Sequence, residues 1–278
     1  MKIFPNTDQR TVEGFGNEWT RFDQKELTEE ERIRIFHSYF HLFPWSVLPE
    51  NAVGVDVGSG SGRWAMEVSK RISMLHCVDA SSGALNVART NLAARTNCHF
   101  HLATASQLPF SSESLDMCYS LGVLHHIPDT QAGIRECARV LKKGAPFLIY
   151  LYYRFDNRAI WYVWLWRISD FFRKSISMLR HSQRSVICDL IAFFVYYPTA
   201  RTAKILEKLG LAVDSFPLSS YRNHSFYTMR TDALDRFGTG LEKRFTKKEI
   251  EDMLLEAGFE NIRFSDTVPF WCAVGCKK

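Results

Sequence analysis

Three glycines, Gly58, Gly60 and Gly62, follow an apolar run that carries Asp56, and a helical pattern through Trp64, Ala65 and Val68 comes next. The chemistry of that spacing is recognition by backbone. Glycine is needed where a strand turns sharply and the chain must lie against a ligand, because a Cβ would fill the space. The helix behind the turn aims its unpaired N–H groups at whatever sits there. A dinucleotide fingerprint G-x-G-x-x-G would need glycine at position 63, where Arg63 stands. A second acid, Asp79, ends the next apolar run (Met74 to Ala80) about twenty residues on, placed to accept both hydroxyls of a ribose. Proton-moving residues form two further groups. His125 and His126 follow the fourth predicted strand, and an imidazole near its ordinary pKa suits a general base at neutral pH. The stretch Tyr221 to Tyr227 offers His224 as a third base, with Tyr221, Arg222 and Tyr227 as acceptor contacts; its other reading is a solvated loop.

The elements that must position these residues alternate. Between Glu50 and Tyr152 strand and helix patterns take turns, which argues for a parallel sheet with helices on both faces, and ligands of such sheets sit beyond the carboxyl ends of the strands. Gly58, Asp79, Thr104 and Ser120 to His126 all fall at predicted strand ends. Before this core, Thr28 and Glu31 have the spacing of a capping box and start a helix through Ile33, Ile35, Phe36 and Tyr39. After it come two apolar runs, Ala159 to Trp166 and Val186 to Tyr197, each too short for a membrane span. They read as helices inserted between strands five and six, forming a lid. Thr246, Glu249 and Gly258 bracket a last helix, and 261–265 with 268–274 supply an edge hairpin.

The loop, the acid at Asp79 and the later stretches, in this order, resemble the class I S-adenosylmethionine-dependent methyltransferases. Phe100 to Phe110, with its Leu-Pro-Phe turn, Leu115 to Asp129, with His-His-Ile-Pro-Asp, and Ala138 to Tyr150 look like the small-molecule branch that contains the ubiquinone and menaquinone methyltransferases. The resemblance covers about residues 50 to 152. It implies an α/β Rossmann-like fold with a seven-stranded, mostly parallel sheet. It also implies S-adenosyl-L-methionine as cofactor and S-adenosyl-L-homocysteine as product. Its cofactor contacts fall on Asp56, Gly58, Ser59, Gly60, Gly62, Asp79, Ala80, Thr104, Ala105 and Ser120. One position departs: the family usually has Asp where Thr104 stands, so the adenine amine meets a neutral hydroxyl, a weaker partner.

The expected division is 1–49, an N-terminal arm and helix covering the cofactor; 50–152, the cofactor-binding core; 153–220, the helical lid; and 221–278, the last helix and strands. The expected activity is methyl transfer to oxygen, less readily nitrogen or carbon, of a small anionic or amphiphilic molecule. RNA or protein methylation and a non-catalytic cofactor-binding subunit remain as alternatives. With 46% hydrophobic residues and 21 Phe there is ample material for a core. Seven scattered cysteines, and no apolar leader in Met1 to Arg10, fit a reducing cytoplasm. Cys272 and Cys276 have no second ligand pair, so no metal is expected. Between Leu151 and Ser185 the basic residues exceed the acidic ones by five, the whole formal charge of the chain, which argues against a broad nucleic-acid surface. A basic, tryptophan-rich lid suits peripheral contact with a membrane or a lipid-linked acceptor. Trp161, Trp164, Leu165 and Ile168, at helical spacing, read first as core or homodimer packing.

Overall fold

The computed structural model describes residues 5–278; the first four residues of the expected arm lie outside the described residues. In chain order the elements begin with α1 (Gln9–Arg21), α2 (Glu29–Phe40), β1 (Val53–Val57), α3 (Ala65–Val68), β2 (Met74–Asp79) and α4 (Ser82–Asn91). Then come β3 (Cys98–Leu102), β4 (Met117–Leu121), α5 (Thr130–Val140), β5 (Pro146–Tyr150), α6 (Ile160–Ser177) and α7 (His181–Ile191). The chain closes with α8 (Tyr197–Lys208), α9 (Phe226–Gly238), α10 (Lys247–Glu256), β6 (Phe259–Phe264) and β7 (Ala273–Lys277). Two compact units result. The first takes the chain up to Gln24, Arg32–Arg154 and Leu241–Lys278; the second takes Lys25–Glu31 and Phe155–Gly240.

The first unit is built on one seven-stranded sheet in the order β3-β2-β1-β4-β5-β7-β6. Its first five strands are parallel and β7 runs antiparallel to both neighbours. The pattern follows from composition: β4 and β5 are buried at every residue, as strands covered on both faces must be, whereas the edge strand β6 exposes Glu260, Asn261 and Arg263. Val55, Val57, Phe147 and Ile149 pack with Ile134 and Cys137 of α5 and with Ile250 and Leu254 of α10. The Thr246 hydroxyl and the Glu249 carboxylate close the capping box at the start of α10. Strand order reverses between β1 and β4, which opens a crevice at their carboxyl ends.

Two sequence expectations change. Residues 14–22, inside the expected N-terminal arm, lie almost wholly within α1, a helix capped by Asp8. One of the two glycines that obscure its periodicity serves close approach: a Cβ on Gly16 would stand 2.5 Å from the Ser81 hydroxyl. The final hairpin also shifts. Residues 268–272 form a turn closed by Ser265 N–H to Cys272 O and Cys272 N–H to Pro269 O, since Pro269 has no N–H for a ladder. The second strand therefore starts only at Ala273.

The second unit is helical. Ala192, Tyr196 and Ala200 pack on Tyr221, Met229 and Ala233 in a small core. Here the core reading of the α6 apolar residues fails. Trp161, Trp164, Leu165 and Ile168 lie on α6 but face solvent, while Arg173 and Ser177 of the same helix are buried. Among the described residues no helix is long and apolar enough to cross a membrane.

Candidate functional site

The loop after β1 is held open by backbone geometry. Gly58 and Gly60 have φ of +80° and +52°, and a Cβ on each would meet the Val123 methyls at 2.4 Å and the Trp19 indole at 2.8 Å. Two chain segments thus close on the loop: the turn after β4 through Val123, and α1 through Trp19. Sequence reasoning had named neither; Trp19 was visible only as one of several aromatic residues in the segment before the core.

Asp79 sits at the end of β2 as expected and is tied to the loop. Its Oδ2 accepts from the Gly60 N–H at 2.9 Å and its Oδ1 from the Ser81 N–H at 2.8 Å. Burial raises its pKa, and the Ser81, Gly60 and Ala80 amides work against that rise. A carboxylate has about four lone-pair sites, so beyond these amides Asp79 can still receive a hydroxyl. The Ser59 and Ser61 hydroxyls and the Asp56 Oδ2 are buried without a hydrogen-bond partner. Orphaned polar atoms around a glycine cradle fit a polar cofactor at this loop. Asp56 itself is 1% exposed. Burial pushes its carboxyl well above the usual range, the Tyr119 hydroxyl opposes this, and the Asp79 charge adds to it.

A cavity of about 570 Å³ adjoins, lined by α1 residues such as Glu13, Gly16 and Asn17 and by Ala80, Ser81 and Leu102 at the ends of β2 and β3. Thr104, 2% exposed, lies 3.3 Å from the Ser106 hydroxyl, which in turn donates to Pro5 O. Ala105 is half-buried beside it. Ser120 faces the sheet instead: its hydroxyl donates to Val57 O at 2.9 Å and joins β4 to β1. Asn6 bridges the backbone of Asp129 with both amide atoms, so the N-terminal segment reaches from the end of β3 to the His-His-Ile-Pro-Asp turn.

The two histidines of that turn differ. His125 is fully buried, stacked on Tyr152 at 4.0 Å, and neither ring nitrogen has a hydrogen-bond partner. Burial holds its pKa well below the ordinary value, with the His126 and Arg244 charges adding to the effect. It stays neutral and is a poor base. His126 packs against Phe15 of α1 at 5.0 Å, and its Nδ1 lies 2.7 Å from Leu241 O. A carbonyl there assigns the proton to Nδ1 and the lone pair to Nε2.

His224, Tyr221, Arg222 and Tyr227 belong to the second unit. His224 Nδ1 lies 3.1 Å from Glu31 Oε1, which also accepts from the Ser225 N–H and the Thr228 hydroxyl. Burial raises the Glu31 pKa, but the His224 hydrogen bond and those from Ser225 and Thr228 prevail and set it at about 2. The other three are committed within the fold. Tyr221 donates to Asp232 at 2.7 Å, Arg222 pairs with Glu207 and donates to Ser219 O, and Tyr227 is 7% exposed. Tyr221 and Arg222 thus tie the 219–223 turn to α9 and to α8. Among the described residues no group of three or more His, Cys, Asp or Glu side chains could hold a metal ion.

Residues 55–149 match the family described as a methyltransferase domain. An uncharacterized methyltransferase, YcgJ, of Bacillus subtilis is 33% identical over 101 residues, 36% of this chain and 40% of that protein. A tRNA (carboxymethyluridine(34)-5-O)-methyltransferase of Xenopus tropicalis is 31% identical over 108 residues, 38% of this chain and 16% of the relative. The chain thus spans less than half the length of either curated relative. Among solved structures, a Haemonchus contortus phosphoethanolamine N-methyltransferase 2 bound to phosphomonomethylethanolamine and S-adenosylhomocysteine has the same fold. It aligns with a TM-score of 0.50 at 16% identity, over 92% of this chain and 43% of that one.

Proposed function

We propose that residues 55–149, which match a methyltransferase domain, form a class I S-adenosylmethionine-dependent methyltransferase and that the whole chain methylates a small, anionic or amphiphilic acceptor, on oxygen in preference to nitrogen or carbon. The observation that carries the reading is the Asp79 carboxylate, anchored by the Gly60 and Ser81 amides beside a glycine loop at the reversal of strand order.

S-Adenosylmethionine supplies an activated methyl group when bound. The chain supplies the rest. Asp79 would hold the ribose, and the Gly58–Gly62 turn would let backbone approach the cofactor where side chains would collide. Thr104 and the Ala105 amide would hold the adenine edge, with a hydroxyl where the family's carboxylate would bind more tightly. His126 Nε2 removes the acceptor proton, a role worth about 10²–10⁴-fold in rate. His224, oriented by the Glu31 carboxylate, is the second candidate base. Alignment of the two reactants contributes more, about 7–11 kcal/mol of the barrier.

A tRNA acceptor is a second reading, supported by the activity named for the Xenopus relative. The two separate in one experiment. Purified protein is incubated with methyl-labelled S-adenosylmethionine and cell extract, and label is counted in organic-soluble, aqueous small-molecule, RNA and protein fractions. Label in either small-molecule fraction supports the proposal. Label confined to RNA or protein overturns the substrate class, and no label in any fraction with cofactor bound supports the non-catalytic subunit.

A further inference from the structure

A surface helix of a folded protein normally turns its apolar stripe inward. In the second unit α6 carries apolar side chains outward as well as inward, where Tyr162 and Trp166 meet the Phe155 ring at 5.3 and 5.6 Å. Trp161, Trp164, Leu165, Ile168, Phe171 and Phe172 recur at spacings of three and four along its outward face, with Trp164 57% and Phe171 69% exposed. Its inward face carries Arg173, 7% exposed, which pairs with Asp170 at 2.7 Å and donates to Thr239 O. In the next helical stretch Val186, Leu190, Phe193 and Phe194 are likewise exposed, on the face opposite buried Cys188, Ala192 and Tyr196. An apolar area of this extent on a folded chain marks a surface that is covered in use.

Charge decides what covers it. Residues 160–208 hold eight Lys and Arg against three Asp and Glu. Exposed Arg167, Lys174 and Arg180 are spread along and just beyond α6, and the Arg167 guanidinium lies 5.0 Å from the Trp164 ring. Aromatic and aliphatic side chains on one face with basic residues beside them are the composition of helices that lie in a bilayer interface. There the rings enter the headgroup boundary and the cations meet anionic lipid. A second copy of this chain fits less well, because a two-fold contact would set one positive excess against another. No helix among the described residues crosses a bilayer, so contact is along the surface. We infer that the outward face of α6 and of the 181–196 stretch docks on an anionic lipid bilayer. This goes beyond methyl transfer and stands or falls separately from it.

The test is co-sedimentation of the full chain with vesicles of phosphatidylcholine alone and of phosphatidylcholine mixed equally with phosphatidylglycerol. Binding to the anionic vesicles is expected to be at least about tenfold stronger, and to weaken as salt screens the charge. The double variant Trp164→Glu, Phe171→Glu should stay in the supernatant, and Arg167→Glu with Arg180→Glu should lose the preference for anionic lipid. Both pairs are exposed, so melting temperature and S-adenosylhomocysteine affinity should be unchanged. Equal binding to both vesicle types would overturn the charge argument. A wild-type chain that ignores both vesicles, or that forms a dimer which the Trp164→Glu, Phe171→Glu variant dissociates, would overturn the bilayer as the occupant.

Discussion

The two units use the same kinds of side chain in opposite directions. In the sheet unit Phe147 is fully buried and stacks on Phe259 at 5.1 Å. In the helical unit Phe171 and Phe172 are exposed and Arg173 and Arg184 are inside. Periodicity is equally clear in both. What differs is which face of the period meets the protein, and a hydrophobic stripe does not state its partner.

The sharpest way to break that comparison is to delete the same ring twice. Phe147→Ala should cost about 3–5 kcal/mol of stability in denaturant unfolding, from lost transfer energy plus a cavity. Phe171→Ala should stay within about 0.5 kcal/mol of wild type. Similar losses at both sites would mean that the α6 face is packed after all. Gly58→Ala comes next. With φ of +80° and the Val123 methyls in the way, it should destabilise by more than about 1 kcal/mol, read as a lower melting temperature and weaker cofactor binding.

Acid should separate the units by pH. Burial, aided by the neighbouring His101 and His99 charges, holds the His76 pKa in the first unit at about 4, below its ordinary 6.5. Between those values the unfolded chain binds the extra proton. Stability from His76 is therefore intact above pH 6.5 and falls as pH drops towards 4. Glu31 in the second unit has its pKa lowered from 4.5 to about 2, so its contribution is intact above pH 4.5 and falls from there towards 2. Hydrogen exchange followed down the pH scale should show first-unit amides weakening first, and His76→Phe should flatten the upper limb. Simultaneous loss in both units would contradict the assignment of those two groups.

The sheet, the glycine loop and Asp79 were legible because each states its requirement locally: apolar runs, a turn that excludes Cβ, an acid at a strand end. The capping box of α10 was legible for the same reason. What could not be read was set by partners distant in sequence. Trp19 over Gly60, Asn6 on Asp129 and the burial of His125 behind Tyr152 all depend on tertiary contacts. Tyr221 and Arg222 looked like ligand contacts because polar atoms among aromatics signal a site, yet Asp232 and Glu207 satisfy them. Helix α1 was hidden by Gly14 and Gly16, whose low helix propensity is overridden where Gly16 packs at the start of α4.

The most direct test of the central claim is titration calorimetry with S-adenosylhomocysteine on the wild-type chain and on Asp79→Ala, with Asp79→Asn as the conservative partner and melting curves to confirm folding. Loss of hydrogen bonds to a charged acceptor, each worth about 1.5–3 kcal/mol, predicts saturable binding by wild type and at least about tenfold weaker binding by Asp79→Ala. Equal affinity in the folded variants, or no binding by the wild-type chain, would contradict the assignment of Asp79 and the glycine loop as the cofactor site.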